Sequence, residues 1–199
     1  MNEKEEDRIG NWGQSFSGIK FWPLDPRPEE INIIDIAHAL SLVCRYNGHS
    51  RFHYSVAQHS VLVASVVPRE LRLEALMHDA SEAYVCDIPR TFKAQLTGYK
   101  QIEDKMMNVI ATKYGFTLPL SDEVKEADKR MLVTEKKIVM AKGPCWEMEK
   151  TYEPYRNVII DSISPLQAEK LFLETFLNIV GTAAADAFED SLKKVIPHE

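Results

Sequence analysis

Residues 32–44 read NIIDIAHALSLVC, and the spacing of their apolar positions decides the fold class. Ile33, Ile34, Ala37, Leu40, Ser41 and Cys44 recur every three or four residues, the period that lines one face of an α-helix. Gly48 stands where such a helix should stop, so a helix is expected over about 32–46. Downstream, Ser55 can cap a helix over Val56–Val67, and Pro68 separates it from another over Glu70–Tyr84, in which Leu71, Leu73, Leu76 and Met77 supply packing. Pro89 opens a turn. Tyr99–Tyr114 is amphipathic and ends at Gly115, Ser121 caps a helix running to about Met140, and Ser164-Pro165 starts one over Leu166–Ile179. A weaker helix is expected over Thr182–Val195.

Working outward, residues 1–15 are polar and read as a flexible tail, leaving 16–199 as one domain. The short apolar stretch Gly18–Leu24 runs into the turn-rich PLDPRP of Pro23–Pro28 as a leader. Residues 141–164, with Gly143, Pro144, Pro154 and Trp- and Tyr-containing patches, read as an irregular but ordered excursion, since a solvated linker would carry fewer aromatics. Five or more helices in series, with no repeat, predict an all-α single-domain bundle.

Composition narrows the function. A chain of 199 residues, 45% hydrophobic and 27% charged, folds around one core. Its net charge of -6 argues against a nucleic-acid polymer as partner but not against a small phosphorylated ligand, which needs only one or two local cations. Cys44, Cys86 and Cys145 form no C-x-x-C pair, so neither a thiolate zinc site nor a disulfide framework is expected, and a reducing cytoplasm fits. The acidic N-terminus lacks the apolar core of a signal peptide, and no run approaches the roughly 20 apolar residues of a membrane helix, so no membrane partner is expected. No P-loop, G-x-G-x-x-G or G-x-S-x-G occurs, which removes support for kinases, dinucleotide enzymes and serine hydrolases.

Five of the six histidines lie in the first 80 residues. His59 in SVAQHSVLVA and His78 in LMHDASEAY sit on neighbouring expected helices. In a regular helix His78 and Asp79 are about 100° apart around the axis and can offer an imidazole nitrogen and a carboxylate oxygen to one ion. Glu82, four residues after His78, would share its face. Two imidazoles and two carboxylates suit a divalent ion with positions left for water and phosphate oxygens. His59 can supply the second imidazole, and Asp128 in VKEADKRML is the best candidate for the second carboxylate. Isolated helical His and Asp residues more often serve packing or solvation, so spacing alone leaves the metal site open.

Taken in order, His59, His78-Asp79 and Asp128 reproduce the H...HD...D signature of the HD superfamily of metal-dependent phosphohydrolases. The runs RYNGHSRFHYSVAQHSVLVA, LMHDASEAYVCDIPRTFK and VKEADKRMLVTE resemble the bacterial 5'-deoxynucleotidases of that superfamily and their prophage and phage-encoded relatives. The likeness spans roughly residues 16–140. It implies His59, His78, Asp79 and Asp128 as ligands of one divalent ion (Co, Mn, Ni, Zn, Fe or Mg), with a second Mg able to arrive on the substrate phosphates. It implies Glu82 as the acid/base, Asp87 as a contact to the sugar hydroxyl or water, and Arg45 and Lys93 as phosphate contacts. Tyr46 stands where the bacterial nucleotidases carry a tryptophan, which keeps base stacking available. His49 and His53 share that loop and either line the pocket or close the turn. The expected activity is hydrolysis of deoxynucleoside monophosphates. The alternatives are a dATPase-like triphosphohydrolase of the phage type and a non-catalytic nucleotide-binding regulator. A homo-oligomer, dimer or higher, is implied by the resemblance.

Overall fold

The computed structural model describes residues 7–181. The architecture is the expected all-α bundle, with one small hairpin at its start, in which β1 (Gly13–Gln14) pairs antiparallel with β2 (Lys20–Phe21). The helices are α1 (Ile33–Leu42), α2 (Val56–Ser65), α3 (Arg72–Met77), α4 (Glu82–Val85), α5 (Arg90–Lys93), α6 (Tyr99–Tyr114), α7 (Asp122–Val139) and α8 (Pro165–Val180). The helix expected over Thr182–Val195 lies outside the described residues.

Helix α2 is the hub, packing on α1, α3, α7 and α8. Val56, Ala57, Gln58, His59, Ser60, Val61, Val63 and Ala64 are all buried, and only half-buried Leu62 and exposed Ser65 at its C-terminal end meet solvent. Such a helix belongs to the core, and any polar group on it must find partners inside. Around it, Ile34, Ala37 and Leu40 of α1, Leu76 and Met77 of α3, Met131 of α7 and Phe172 of α8 close the same cluster. Ser55 and Ser121 accept from Gln58 N and Val124 N, as their capping roles predict. Ser164 and Gln167 form a reciprocal capping box at the start of α8. The carboxylate of Glu74 on α3 accepts from the Ser121 amide at 2.5 Å, which fixes the start of α7 against α3.

Two expected helices are broken, both beside the site described below. The first ends at Leu42, not near 46. Val43 and Cys44 turn extended because their backbone finds partners across the chain: Cys44 bridges Ser55 antiparallel, Arg45 N donates to Tyr54 O at 2.9 Å, and Val56 N donates to Val43 O at 3.0 Å. Tyr46, Asn47 and Gly48 then take positive φ of 56°, 54° and 77°, so Gly48 ends a left-handed turn, not a helix. The second break falls on His78–Ser81, between α3 and α4. There the amides of Ala80, Glu82 and Ala83 bond to carbonyls three residues back, and His78 (φ -60°, ψ -29°) and Ser81 (φ -61°, ψ -27°) have the tighter 3-10 twist.

The leader is tied down where a loose tail was expected, at least from Arg8 on. Its guanidinium bridges Asp25 at 2.7 Å and Glu30 at 2.5 Å and lies 4.0 Å from the Trp22 ring centre. The excursion over 141–164 is ordered, as its aromatics suggested. It is strapped to α7 by Lys129 over Tyr152, Arg130 over Tyr155 and Lys136 over Trp146, at 5.5, 4.2 and 5.7 Å to the ring centres. No helix among the described residues is long and apolar enough to cross a membrane.

Phe172 is fully buried where α8 meets α1, α2 and α3. Phe172→Ala should therefore lower unfolding free energy by about 3–5 kcal/mol, read as a shifted urea midpoint with an unchanged slope.

Candidate metal centre

His59 reaches the site from the middle of α2, where it has no exposed surface, and His78 from the tightened turn after α3. Asp128 comes from α7, whose position is set by the contact to Glu74. Their donor atoms converge: Nε2 of His59 lies 3.2 Å from Nε2 of His78 and 3.3 Å from Oδ1 of Asp128, and the three lie within 4.8 Å of one another. Oδ2 of Asp79 closes on the same two nitrogens, at 3.2 Å from His78 and 3.7 Å from His59. Neighbouring ligands on an ion with bonds of ~2.1 Å stand about 3.0 Å apart in an octahedron and about 3.4 Å in a tetrahedron. The pairs His59–His78, His59–Asp128 and His78–Asp79 match that spacing, while His78–Asp128 at 3.9 Å and His59–Asp79 at 3.7 Å are wider. His78 Nδ1 is 2.7 Å from the Ala75 carbonyl, which only accepts, so Nδ1 carries a proton and Nε2 is the nitrogen that faces the centre.

The electrostatics favour a cation. Burial alone would depress His78, but the adjoining Asp79 carboxylate, with Asp128 beyond it, lifts it to about 9. Burial would raise Asp128, yet its hydrogen bond to His59 and the charge of His78 bring it down to about 2. Asp79 is likewise held low against burial, by His78 first and then by His59 and Arg45. Glu82 goes the other way: burial, then the charges of Asp79 and Asp87, push it well above the usual carboxylate range. Its Oε2 is buried and has no hydrogen-bond partner. The 3-10 twist explains its neighbour. With about three residues per turn, Glu82 lines up with Asp79 and not, as a regular helix would have it, with His78.

The remaining expected residues divide. Arg45 is buried and ties Asp79 Oδ2 at 3.3 Å to Glu135 Oε2 at 3.3 Å, so its charge is spent inside the centre. Asp87, half-buried, is raised by burial and by Asp79 against the pull of Arg45. Lys93 pairs with Glu103 at 2.6 Å and sits over the Tyr99 ring. The hydroxyl of Tyr46 donates to Glu135, and its ring is 6.0 Å from that of Trp146. The amide of the exposed His49 closes the turn onto Tyr46 O at 3.0 Å, while half-buried His53 keeps a buried Nδ1 without a partner.

Two site residues went unassigned in the sequence. Glu135 is fully buried and accepts from Tyr54 at 2.7 Å, from Tyr46 and from His59 Nδ1. Its signal was an acidic residue in the apolar register Val124, Ala127, Met131 of α7. Arg90, at the start of α5, is 63% exposed in its side chain and touches Asp128 Oδ2 at 3.3 Å, on the carboxylate edge away from the imidazoles. The hollows of about 500 Å³ beside α6 and 570 Å³ between α2 and α8 lie away from this centre.

No protein-family model matches the sequence. It is 40% identical over 164 residues to the uncharacterized protein YfdR of Escherichia coli, an overlap covering 82% of this chain and 92% of that one. The chain belongs to the YfdR family. It is also 36% identical over 128 residues to an uncharacterized protein of Rhodobacter capsulatus, covering 59% of this chain and 65% of the relative. The names of these relatives carry no activity.

Removing one imidazole should empty the centre without unfolding the bundle. Elemental analysis after incubation with Co(II) should find the ion in the wild type and none in His78→Ala, a fall in affinity beyond the roughly 10–100-fold typical of losing an outer-shell partner, with the helical circular dichroism kept.

Proposed function

We propose that the protein is a metal-dependent phosphohydrolase of the HD type that cleaves the phosphate ester of a deoxynucleoside 5'-monophosphate. The observation that carries this reading is the convergence of donor atoms of His59, His78 and Asp128, with Asp79 Oδ2 against the same two imidazoles and the buried Oε2 of Glu82 without a hydrogen-bond partner. The sequence resemblance supports it independently, because the same four residues form the H...HD...D signature. His59, His78, Asp79 and Asp128 would hold the ion. The chemistry a divalent ion supplies there is polarisation of a phosphoryl oxygen and a more acidic bound water.

The chain's own residues do the rest. Glu82, shielded from solvent and biased toward its protonated form by burial and by Asp79, is suited to pass a proton between the attacking water and the leaving ester oxygen. Arg45 neutralises Asp79 and keeps the carboxylates together despite their repulsion. Arg90 reaches into solvent from Asp128, so its guanidinium can turn to a phosphate oxygen without breaking a buried contact. Tyr46 and Trp146 provide an aromatic wall for a nucleobase beside these cations.

The count of available cations favours a monophosphate over a triphosphate. Arg45 and Lys93 are spent on Glu135, Asp79 and Glu103, and a triphosphate tail would need both as well as Arg90. A screen of mono-, di- and triphosphate nucleotides with Mn, Co, Ni, Mg and Zn, quantifying phosphate, pyrophosphate and triphosphate, should find phosphate released from deoxynucleoside monophosphates. Release of triphosphate would instead mark the triphosphohydrolase, and binding with no turnover would mark a regulator. Glu82→Gln should keep the metal and lose about 10²–10⁴-fold in kcat. Arg90→Ala should raise KM about tenfold, the weight of one charge-assisted contact, measured with the metal held at saturation.

A further inference from the structure

Helix α7 carries two acidic residues toward α2, two turns apart. Asp128 offers Oδ1 to the imidazole nitrogens, and Glu135 lies behind His59 with no exposed surface. A carboxylate in that position is costly unless every lone pair is engaged. Its two oxygens have different tasks. Oε1 receives the hydroxyl of Tyr54 at 2.7 Å and the Nδ1 edge of His59. Oε2 receives the hydroxyl of Tyr46 and faces Arg45 Nε at 3.3 Å.

These contacts fix two things that the centre requires. An imidazole between a carboxylate and a cluster of donor atoms must present a proton to the carboxylate to keep a lone pair for the cluster. On the other side, Tyr46 and Asn47 hold positive φ, a conformation that non-glycine residues keep only when their surroundings impose it. The side-chain anchor of that turn is the Tyr46 hydroxyl on Glu135. The turn in turn places Arg45 against Asp79.

We propose that Glu135 is the positioning residue of the metal centre, with Oε1 fixing His59 as its Nδ1–H tautomer and Oε2 pinning the left-handed turn that delivers Arg45. One carboxylate thereby couples the geometry of a metal ligand to the loop facing the substrate. This rests on the metal centre proposed above and adds the residue that sets its affinity. Glu135 does not touch the reacting atoms.

The test uses the full chain and Co(II) as probe. Isothermal titration should give Glu135→Gln, which keeps the side chain's shape, an affinity about 10–100-fold weaker than the wild type, with its helical signal intact. Equal affinity in the folded variant would overturn the proposal. A wild-type protein that takes up no Co(II) would sink the metal centre itself, and with it the role of Glu135. Should Glu135→Gln fail to fold, nitrogen-15 histidine spectra of the Zn-loaded wild type decide the matter. They should place the His59 proton on Nδ1 and the metal on Nε2; coordination through Nδ1 would refute the assignment. Tyr46→Phe keeps the ring and removes only the anchor on Oε2. It should leave Co(II) affinity within about threefold and raise KM for the nucleotide, whereas an unchanged KM would remove the loop from Glu135's task.

Discussion

His59 sits without exposed surface at the centre of a helix whose first six residues are all buried, and the rest of the site is arranged to satisfy it. The His59 ring has no exposed surface at which water could hydrate it, so both ring nitrogens must be answered from neighbouring elements. Glu135 answers Nδ1, while His78, Asp79 and Asp128 crowd Nε2. The bundle packs its remaining helices around this requirement. α7 contributes carboxylates to both edges of the ring, and the contact from Glu74 to the start of α7 sets where those carboxylates fall.

Charge balance follows from the same crowding. The Asp79 charge pushes Glu82, Asp87 and Asp128 upward, while the two imidazoles hold Asp79 and Asp128 down, joined by Arg45 at Asp79, and Arg45 and His59 hold Glu135 down. Burial amplifies each interaction, since a low-dielectric interior screens little. Glu135 is carried down to about 2, its burial overcome by Arg45 and His59, while Glu82 is driven upward by burial and then by the charges of Asp79 and Asp87.

Backbone irregularity collects at the same place. The positive-φ residues Tyr46 and Asn47 precede the strand-like return to α2, and Cys86, at φ 71°, immediately precedes Asp87. The 3-10 turn at His78–Ser81 rotates Glu82 into line with Asp79. The strap over 146–155 closes the picture from the α7 side, bringing Trp146 to Tyr46 and Met148 to Arg90. The turn at Tyr46 and the one at His78 meet α7 through Glu135 and Asp128, while the one at Cys86 is held by the Tyr99 hydroxyl of α6.

Much of this was legible in the sequence, for reasons of period and punctuation. The three- and four-residue spacing gave the helices, and Ser55, Gly115, Ser121 and Ser164-Pro165 marked ends that the structure keeps, because caps answer orphan backbone groups locally. The same local logic placed His78 beside Asp79, while His59 and Asp128 came from resemblance. Three things needed the tertiary structure. The breaks at Val43 and His78–Ser81 depend on partners across the chain, Tyr54, Val56 and the packed faces of α2, which no local window contains. The assignments of Arg45 and Lys93 to phosphate could not anticipate the ion pairs with Asp79, Glu135 and Glu103. Glu135 itself reads as one more charge on an amphipathic helix until α2 is docked against it. The sequence by itself determined which segments are helical and which residue types could bind an ion; only the packing of α7 and the 43–56 loop onto α2 decided which carboxylates meet the imidazoles, because that is set by contacts between distant segments.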